Sequence, residues 1–190
     1  GWEVFSGGDY GEENPCWWGL VAVDFDDTVW VVDEYYRAGA GGRDHARGVR
    51  ALIEQCPFTR YGGPRMNLAP ADMWTKRSPG ETSQALSPAD SFAAEELYLT
   101  RANMDRVNGW RNVKDLLYIR EDAQHLPKAP RLRFFRGRTD NIVSSLTTVQ
   151  RDKSNPEDVL KAGNDHPADG LRYIINHVYK PSAPPAPSAP

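Results

Sequence analysis

Acidic residues at four positions have the setting that metal-assisted chemistry needs. Asp9 lies in Gly7-Gly8-Asp9-Tyr10-Gly11, where glycines on both sides let the backbone turn sharply and a bulky ligand come close. Asp72 ends the run Asn67-Leu68-Ala69-Pro70-Ala71-Asp72, and a carboxylate at the C-terminal edge of a strand stands where open α/β sheets place their ligands. Asp165 and Asp169 follow one helical turn apart in Asn164-Asp165-His166-Pro167-Ala168-Asp169-Gly170-Leu171-Arg172-Tyr173. Each acid also has an ordinary reading. Asp9 serves as a turn residue, Asp72 as a solvated loop acid, Asp165 as a helix cap, and Asp169 as an i+3 partner of Arg172. Brought to one point, they suit hard divalent cations, because Mg²⁺ and Mn²⁺ take oxygen ligands. Two such ions clamp the attacking and leaving oxygens of a phosphodiester displacement.

The cations supply a second pattern. Between Gln124 and Thr139 stand Lys128, Arg131, Arg133, Arg136 and Arg138, with no acid among them. That run fits sequence-independent contact with duplex phosphates, or an edge strand guarded by charge against aggregation. Lys76 and Arg77 come just after Asp72, placed either to hold a phosphate beside it or to serve as ordinary loop cations. His45, His125, His166 and His177 show neither protease nor zinc-finger spacing. His166 borders the acids and is able to move protons, with a plain helix N-terminal role as the simpler reading. Cys16 and Cys56 cannot form a disulfide framework or a cysteine-rich zinc site, and read as reduced, partly buried thiols of an intracellular chain. Asp24, Asp26 and Asp27 belong to a turn and are left out of the site.

The elements that must position these groups fall into two regimes. Val4 to Asp9, Trp17 to Asp24 and Thr28 to Tyr36 are β-branched and aromatic runs, the last two joined at Phe25-Asp26-Asp27, so a three-stranded antiparallel meander is expected. Trp17, Trp18 and Trp30 fit half-buried strand positions within it. Ala46, Val49, Leu52, Ile53 and Cys56 recur at helical spacing until Pro57 ends the helix. Strand and helix then alternate: a strand over Met66 to Asp72, a helix capped at Ser87 and running to about Thr100, a short helix marked by Val113, Leu116 and Leu117, and a strand over Arg131 to Phe135. Thr139 is expected to cap a helix burying Ile142, Val143, Leu146 and Val149; Asn155-Pro156-Glu157 opens a short one, and Asp165 opens the last, to about Val178. On that last helix Asp165, Asp169, Arg172 and Asn176 form one stripe, and Pro167, Leu171, Ile174, Ile175 and Val178 another. The whole predicts an α/β fold, a mixed sheet with helices on its faces.

Composition sets bounds. With 23 Lys and Arg against 26 Asp and Glu, the net charge of −3 excludes a histone-like polycation while leaving room for a local basic groove. A 39% hydrophobic content over 190 residues is that of a globular chain with one core, and no run approaches the ~18 apolar residues of a membrane span. Gly1-Trp2-Glu3 does not open a secretory signal. Residues 1–180 are expected to fold as one domain. Residues 181–190 hold five prolines and no charge, which predicts a disordered, extended tail.

The order of a β-meander carrying Asp9, a strand ending at Asp72, and a closing Asp165-His166-Pro167-Ala168-Asp169-Gly170-Leu171-Arg172-Tyr173 resembles the C-terminal nuclease domain of phage terminase large subunits. The resemblance runs from Gly7 to Tyr173, and its closing motif, of the form D-H/D-x-x-D-x-L-R-Y, is the more specific part. It implies a ribonuclease H-like fold and an endonuclease that cleaves double-stranded concatemeric DNA during genome packaging. By matching position it makes Asp9, Asp72 and Asp165 the catalytic ligands of two Mg²⁺ or Mn²⁺ ions, with Asp169 as a neighbouring fourth acid. Many members carry two adjacent acids where this chain has Asp165-His166, which leaves the third-ligand role open between Asp165 and Asp169. The resemblance also implies an ATPase domain of the same large subunit, a small terminase subunit and the portal as partners, and the host cytoplasm at the procapsid as the place of action. No G-x-x-x-x-G-K-[ST] phosphate loop occurs, so the chain reads as an excised domain. Two rivals share features with this reading: another ribonuclease H-like nuclease, such as a junction resolvase or transposase core, and a catalytically silent DNA- or partner-binding module.

Overall fold

The computed structural model describes residues 1–76, 86–119, 129–150 and 165–181. Arg77, Lys128, the short helix expected at Asn155 and the proline-rich tail beyond residue 181 lie outside the described residues.

Three consecutive strands form the expected meander: β1 (Glu3–Asp9), β2 (Cys16–Val23) and β3 (Val29–Arg37). β2 is buried along its whole length. Its neighbouring tryptophans, Trp17 and Trp18, point to opposite faces by the two-residue period of a strand and seed separate cores. The β2–β3 turn is organised by Asp24, whose carboxylate accepts from the Asp26 and Thr28 amides and from Trp30 Nε1, each at 2.9 Å. That is the structural role expected of this acid.

α1 (Gly42–Gln55) follows, then β4 (Asn67–Ala69), α2 (Pro88–Ala93), β5 (Thr100–Arg101), α3 (Arg106–Leu117), β6 (Leu132–Phe134), α4 (Asp140–Thr148) and α5 (His166–Val178). The sheet order is β5-β4-β1-β2-β3-β6, with β1, β2 and β3 antiparallel and β4, β5 and β6 joined in parallel. α3, α4 and α5 cover one face around Trp17, Leu171 and Ile174. α1 and α2 cover the other, around Trp18, Ala46, Val49 and Phe92. This is the mixed sheet with helices on both faces that the sequence predicts.

Three local expectations are corrected. The helix from Ser87 stops at Ala93, not Thr100: Glu96 takes a left-handed φ of 62° and the Leu97 amide donates back to Phe92 O at 3.0 Å, closing the end. The freed residues Thr100–Arg101 become an edge strand. β4 ends at Ala69, because Pro70 has no amide to continue a ladder, and Asp72 stands beyond it on a single 3₁₀ turn, Ala71–Trp74. At α4, Thr139 Oγ1 donates to Phe135 O instead of capping, and Val143 is exposed. The cap comes from Glu34 on β3, which accepts from the Asn141 and Ile142 amides at 2.6 and 3.0 Å and from Trp17 Nε1 at 2.7 Å.

Candidate functional site

Parallel pairing of β1 with β4 aligns their C-terminal ends, Ser6 opposite Asn67 and Gly7 opposite Leu68. Asp9 therefore leaves the sheet on the same edge as Asp72. α5 crosses β1 at very close range: a Cβ on Gly7 would lie 2.9 Å from Ile174 Cγ1, and one on Gly170 2.9 Å from the Asp9 amide. Glycine at both positions lets the helix start against the end of β1. There His166 Nδ1 lies 2.6 Å from Asp9 Oδ2, the carboxylate accepting from the ring across 157 residues of sequence.

Burial is the main force on Asp9 and pushes its pKa up. The His166 contact opposes that, and the negative charges of Asp169 and Asp72 add to it. His166 is raised in turn, chiefly by its hydrogen bond to Asp9 and against its own desolvation, with Asp9, Asp165 and Asp169 contributing charge. Tyr173 is pushed up by burial and by Asp9, Asp169 and Asp72, so its hydroxyl stays protonated. Cys16, beneath the site, is buried and pushed up to about 12, which makes it inert at neutral pH. A cleft of about 360 Å³ lined by Tyr10, Gly11, Glu12, Glu13, Asn14 and His166 opens beside this edge.

The two acids of α5 are in different states. Asp165 occupies the N-cap position but makes no side-chain capping bond. Asp169 is held by two guanidiniums: Arg106 Nη1 lies 3.3 Å from both of its oxygens, and Arg172 Nε donates to Oδ1 at 3.0 Å. Arg172 is 2% exposed and also donates to Met104 O and Asp105 O, while Asn176 Nδ2 donates to Asn103 O and Asp105 O. The polar stripe of α5 thus packs against α3 and the loop before it. Among the described residues, no three His, Cys, Asp or Glu side chains stand together as a ready metal site.

The expected basic strand lies elsewhere. β6 pairs with Val29–Val31, at the sheet end where Glu3 faces Val23, and the length of β1 puts about 20 Å between that end and Asp9. Arg131 pairs with Asp115 at 3.2 Å, Arg133 lies 5.0 Å over the Trp30 ring, and Arg138 pairs with Asp33 at 2.6 Å; Arg136 is exposed. Lys76 is exposed just after the Asp72 turn, and its charge acts on Asp90. Sequence reasoning missed two cations near the acids: Arg106 on Asp169, and Arg101, whose guanidinium lies 4.8 Å over the Trp74 ring. Arg101 sits on a two-residue strand that starts at Thr100, where the helix expected from Ser87 ends, so no local pattern marked it.

No protein-family model matches the sequence, and no curated protein matches it. Solved structures do match in shape. The large terminase of a thermophilic bacteriophage, solved in complex with ATP-γ-S, superposes with a TM-score of 0.64 at 18% identity, over 92% of this chain. The nuclease domain of the P22 large terminase gives 0.64 at 14% identity, over 90% of this chain and 79% of that one. The fold is that of phage large terminase nuclease domains. The large terminase nuclease from thermophilic phage G20c, solved with bound zinc, shares it at a TM-score of 0.51 and 15% identity, over 94% of this chain and 82% of that one. This chain spans 39% of the length of the ATP-γ-S-bound large terminase.

Proposed function

We propose that this domain is a divalent-metal-dependent endonuclease acting on double-stranded DNA as the nuclease part of a phage large terminase. The observation that carries the reading is the meeting of Asp9 with the start of α5 on the sheet edge that also holds Asp72, within the terminase nuclease fold. The donor chemistry fits a hard dication. Asp9 is a largely buried carboxylate under the like charge of Asp72 and Asp169, a repulsion that a cation would relieve. Asp9, Asp72 and Asp165 would hold the ions; Asp169, paired with Arg106 and Arg172, holds α3 against α5 and so keeps the edge in place. Bound ions supply charge neutralisation and a nucleophile for in-line displacement at phosphorus. His166, whose Nδ1 lies 2.6 Å from Asp9 Oδ2, would be placed to accept or return a proton beside the carboxylate were Asp9 to hold a cation. Tyr173 and Arg172 stay packed under the site, the guanidinium 4.6 Å over the ring, and keep water out of its floor.

The zinc in the G20c structure supports a cation-binding family fold, and Mg²⁺ or Mn²⁺ is the expected ion here. The ATP-γ-S bound to the other thermophilic phage's large terminase supports an ATP-driven motor as the partner of such a domain, with the small subunit and portal as further partners. Among the described residues no helix is long and apolar enough to cross a membrane.

The test is plasmid cleavage. Supercoiled DNA is nicked and linearised with Mn²⁺ or Mg²⁺ and left intact with EDTA. Asp9→Ala, Asp72→Ala and Asp165→Ala each slow cutting by at least about a hundredfold, the scale of losing one partner of transition-state charge. Variants that all cut as fast as the parent overturn the assignment, and a strong preference for four-way junctions over linear duplex points to a resolvase.

A further inference from the structure

We propose that Arg101, held over the ring of Trp74, is a docking point for a backbone phosphate of the substrate strand beside the acidic edge. This rests on the nuclease reading above and adds a contact residue to it. Arg101 ends β5, opposite Ala69 of β4, and is exposed. Trp74 belongs to the same single 3₁₀ turn as Asp72. The guanidinium is therefore tied, through one ring, to the turn that carries a candidate metal ligand.

Three properties make this cation suited to phosphate. Its position over Trp74 fixes a long side chain in advance, so less rotamer freedom is lost when an anion arrives. Contact with a ring face uses up no carboxylate or carbonyl acceptor, so the guanidinium keeps N–H donors for the fork that meets two phosphate oxygens at once. Among the described residues Arg101 has no carboxylate partner, unlike Arg106 and Arg172 on Asp169, Arg131 on Asp115, or Arg138 on Asp33. The segment that follows does not swing: the Ala102 amide donates to Ala69 O at 2.9 Å, and Asn103 O and Asp105 O accept from Asn176. Because the guanidinium already covers one face of Trp74, the contact is with the backbone, which is sequence-independent, rather than a base stacked on that face.

The experiment is equilibrium binding of a fluorescent duplex of arbitrary sequence, with Ca²⁺ in place of Mg²⁺, titrated over a range of salt. Arg101→Ala lowers the slope of log K against log salt by about 0.9, one phosphate contact, and weakens binding about equally for unrelated sequences. Arg101→Lys keeps the slope and falls between the two in affinity, because charge remains while the stacked fork is lost. Thermal melting of Arg101→Ala matches the parent, as expected for an exposed side chain. An unchanged slope in Arg101→Ala, with a parent that cuts DNA, overturns the phosphate contact alone. A lowered slope with a parent that never cuts in any divalent metal upholds the contact and overturns the nuclease reading. A parent that does not bind duplex overturns both.

Discussion

Asp169 has the spacing of a metal ligand and the surroundings of a structural ion pair. Its side chain is 11% exposed and that of Arg172 only 3%, so neither group can fall back on water if the other is removed. Breaking a buried pair leaves an uncompensated charge and costs about 3 kcal/mol or more, far above a surface bridge. Asp169→Leu is therefore expected to lower the unfolding free energy by about 3 kcal/mol, measured by urea denaturation. The double variant Asp169→Leu with Arg172→Met recovers part of the loss, because the orphaned guanidinium is gone. Asp72→Asn, on an exposed turn, is expected to melt like the parent while losing Mn²⁺ affinity. If Asp169→Leu instead keeps its stability and loses metal, the carboxylate is a ligand and its arginines are secondary.

At the scale of elements, the decisive contact is α5 against the end of β1, and Gly170 tests it. Alanine in a helix interior normally gains about 1 kcal/mol over glycine. Here its Cβ would lie 2.6 Å from Trp17 Cε3 and 2.9 Å from the Asp9 backbone nitrogen, and neither a buried ring nor a strand backbone yields easily. Overpacking of that kind costs about 1–3 kcal/mol, so Gly170→Ala is expected to be net destabilising and to slow cutting by displacing α5 from Asp9. A variant that is more stable and fully active would show that the crossing is looser than this. The same contact explains what the sequence reveals. The meander, α1 and α5 are legible because aromatic runs and helical periodicity are local signals, and the position of Asp9 and Asp72 on one sheet edge is legible because Asp9 ends a strand and Asp72 comes just after one. The end of α2 is not, since its left-handed residue is Glu96 and not the glycine that usually marks such a stop. Missing that stop hid β5 and Arg101 with it. The Arg106–Asp169 pair spans 63 residues, and the Glu34 cap of α4 spans more than 100, distances over which no spacing rule operates.

Across the whole molecule, the acidic edge is expected to make stability and the proposed metal binding respond to pH in opposite directions. Asp9 is raised from 3.8 and His166 from 6.5, so the folded chain holds protons that the unfolded chain releases, in both windows. The His166 contribution is fully present below 6.5 and is lost as pH rises through its higher folded value. Asp9 acts with the same sign from 3.8 upward, and the two titrate as a coupled unit. Asp24 opposes them at the acid end. Desolvation raises it, but the Trp30, Thr28 and Asp26 hydrogen bonds outweigh that and lower it below 3.8, so its contribution is present above that value and lost as pH falls through its folded pKa. In EDTA the melting temperature is therefore expected to decline as pH rises above 6.5, and His166→Gln to flatten that decline. Excess Mn²⁺ is expected to reverse it, because a cation binds the deprotonated carboxylates and competes with these protons. Melting curves for parent and variant, with and without Mn²⁺, decide the matter. A His166→Gln profile that matches the parent in EDTA would mean the Asp9–His166 contact carries none of the pH response.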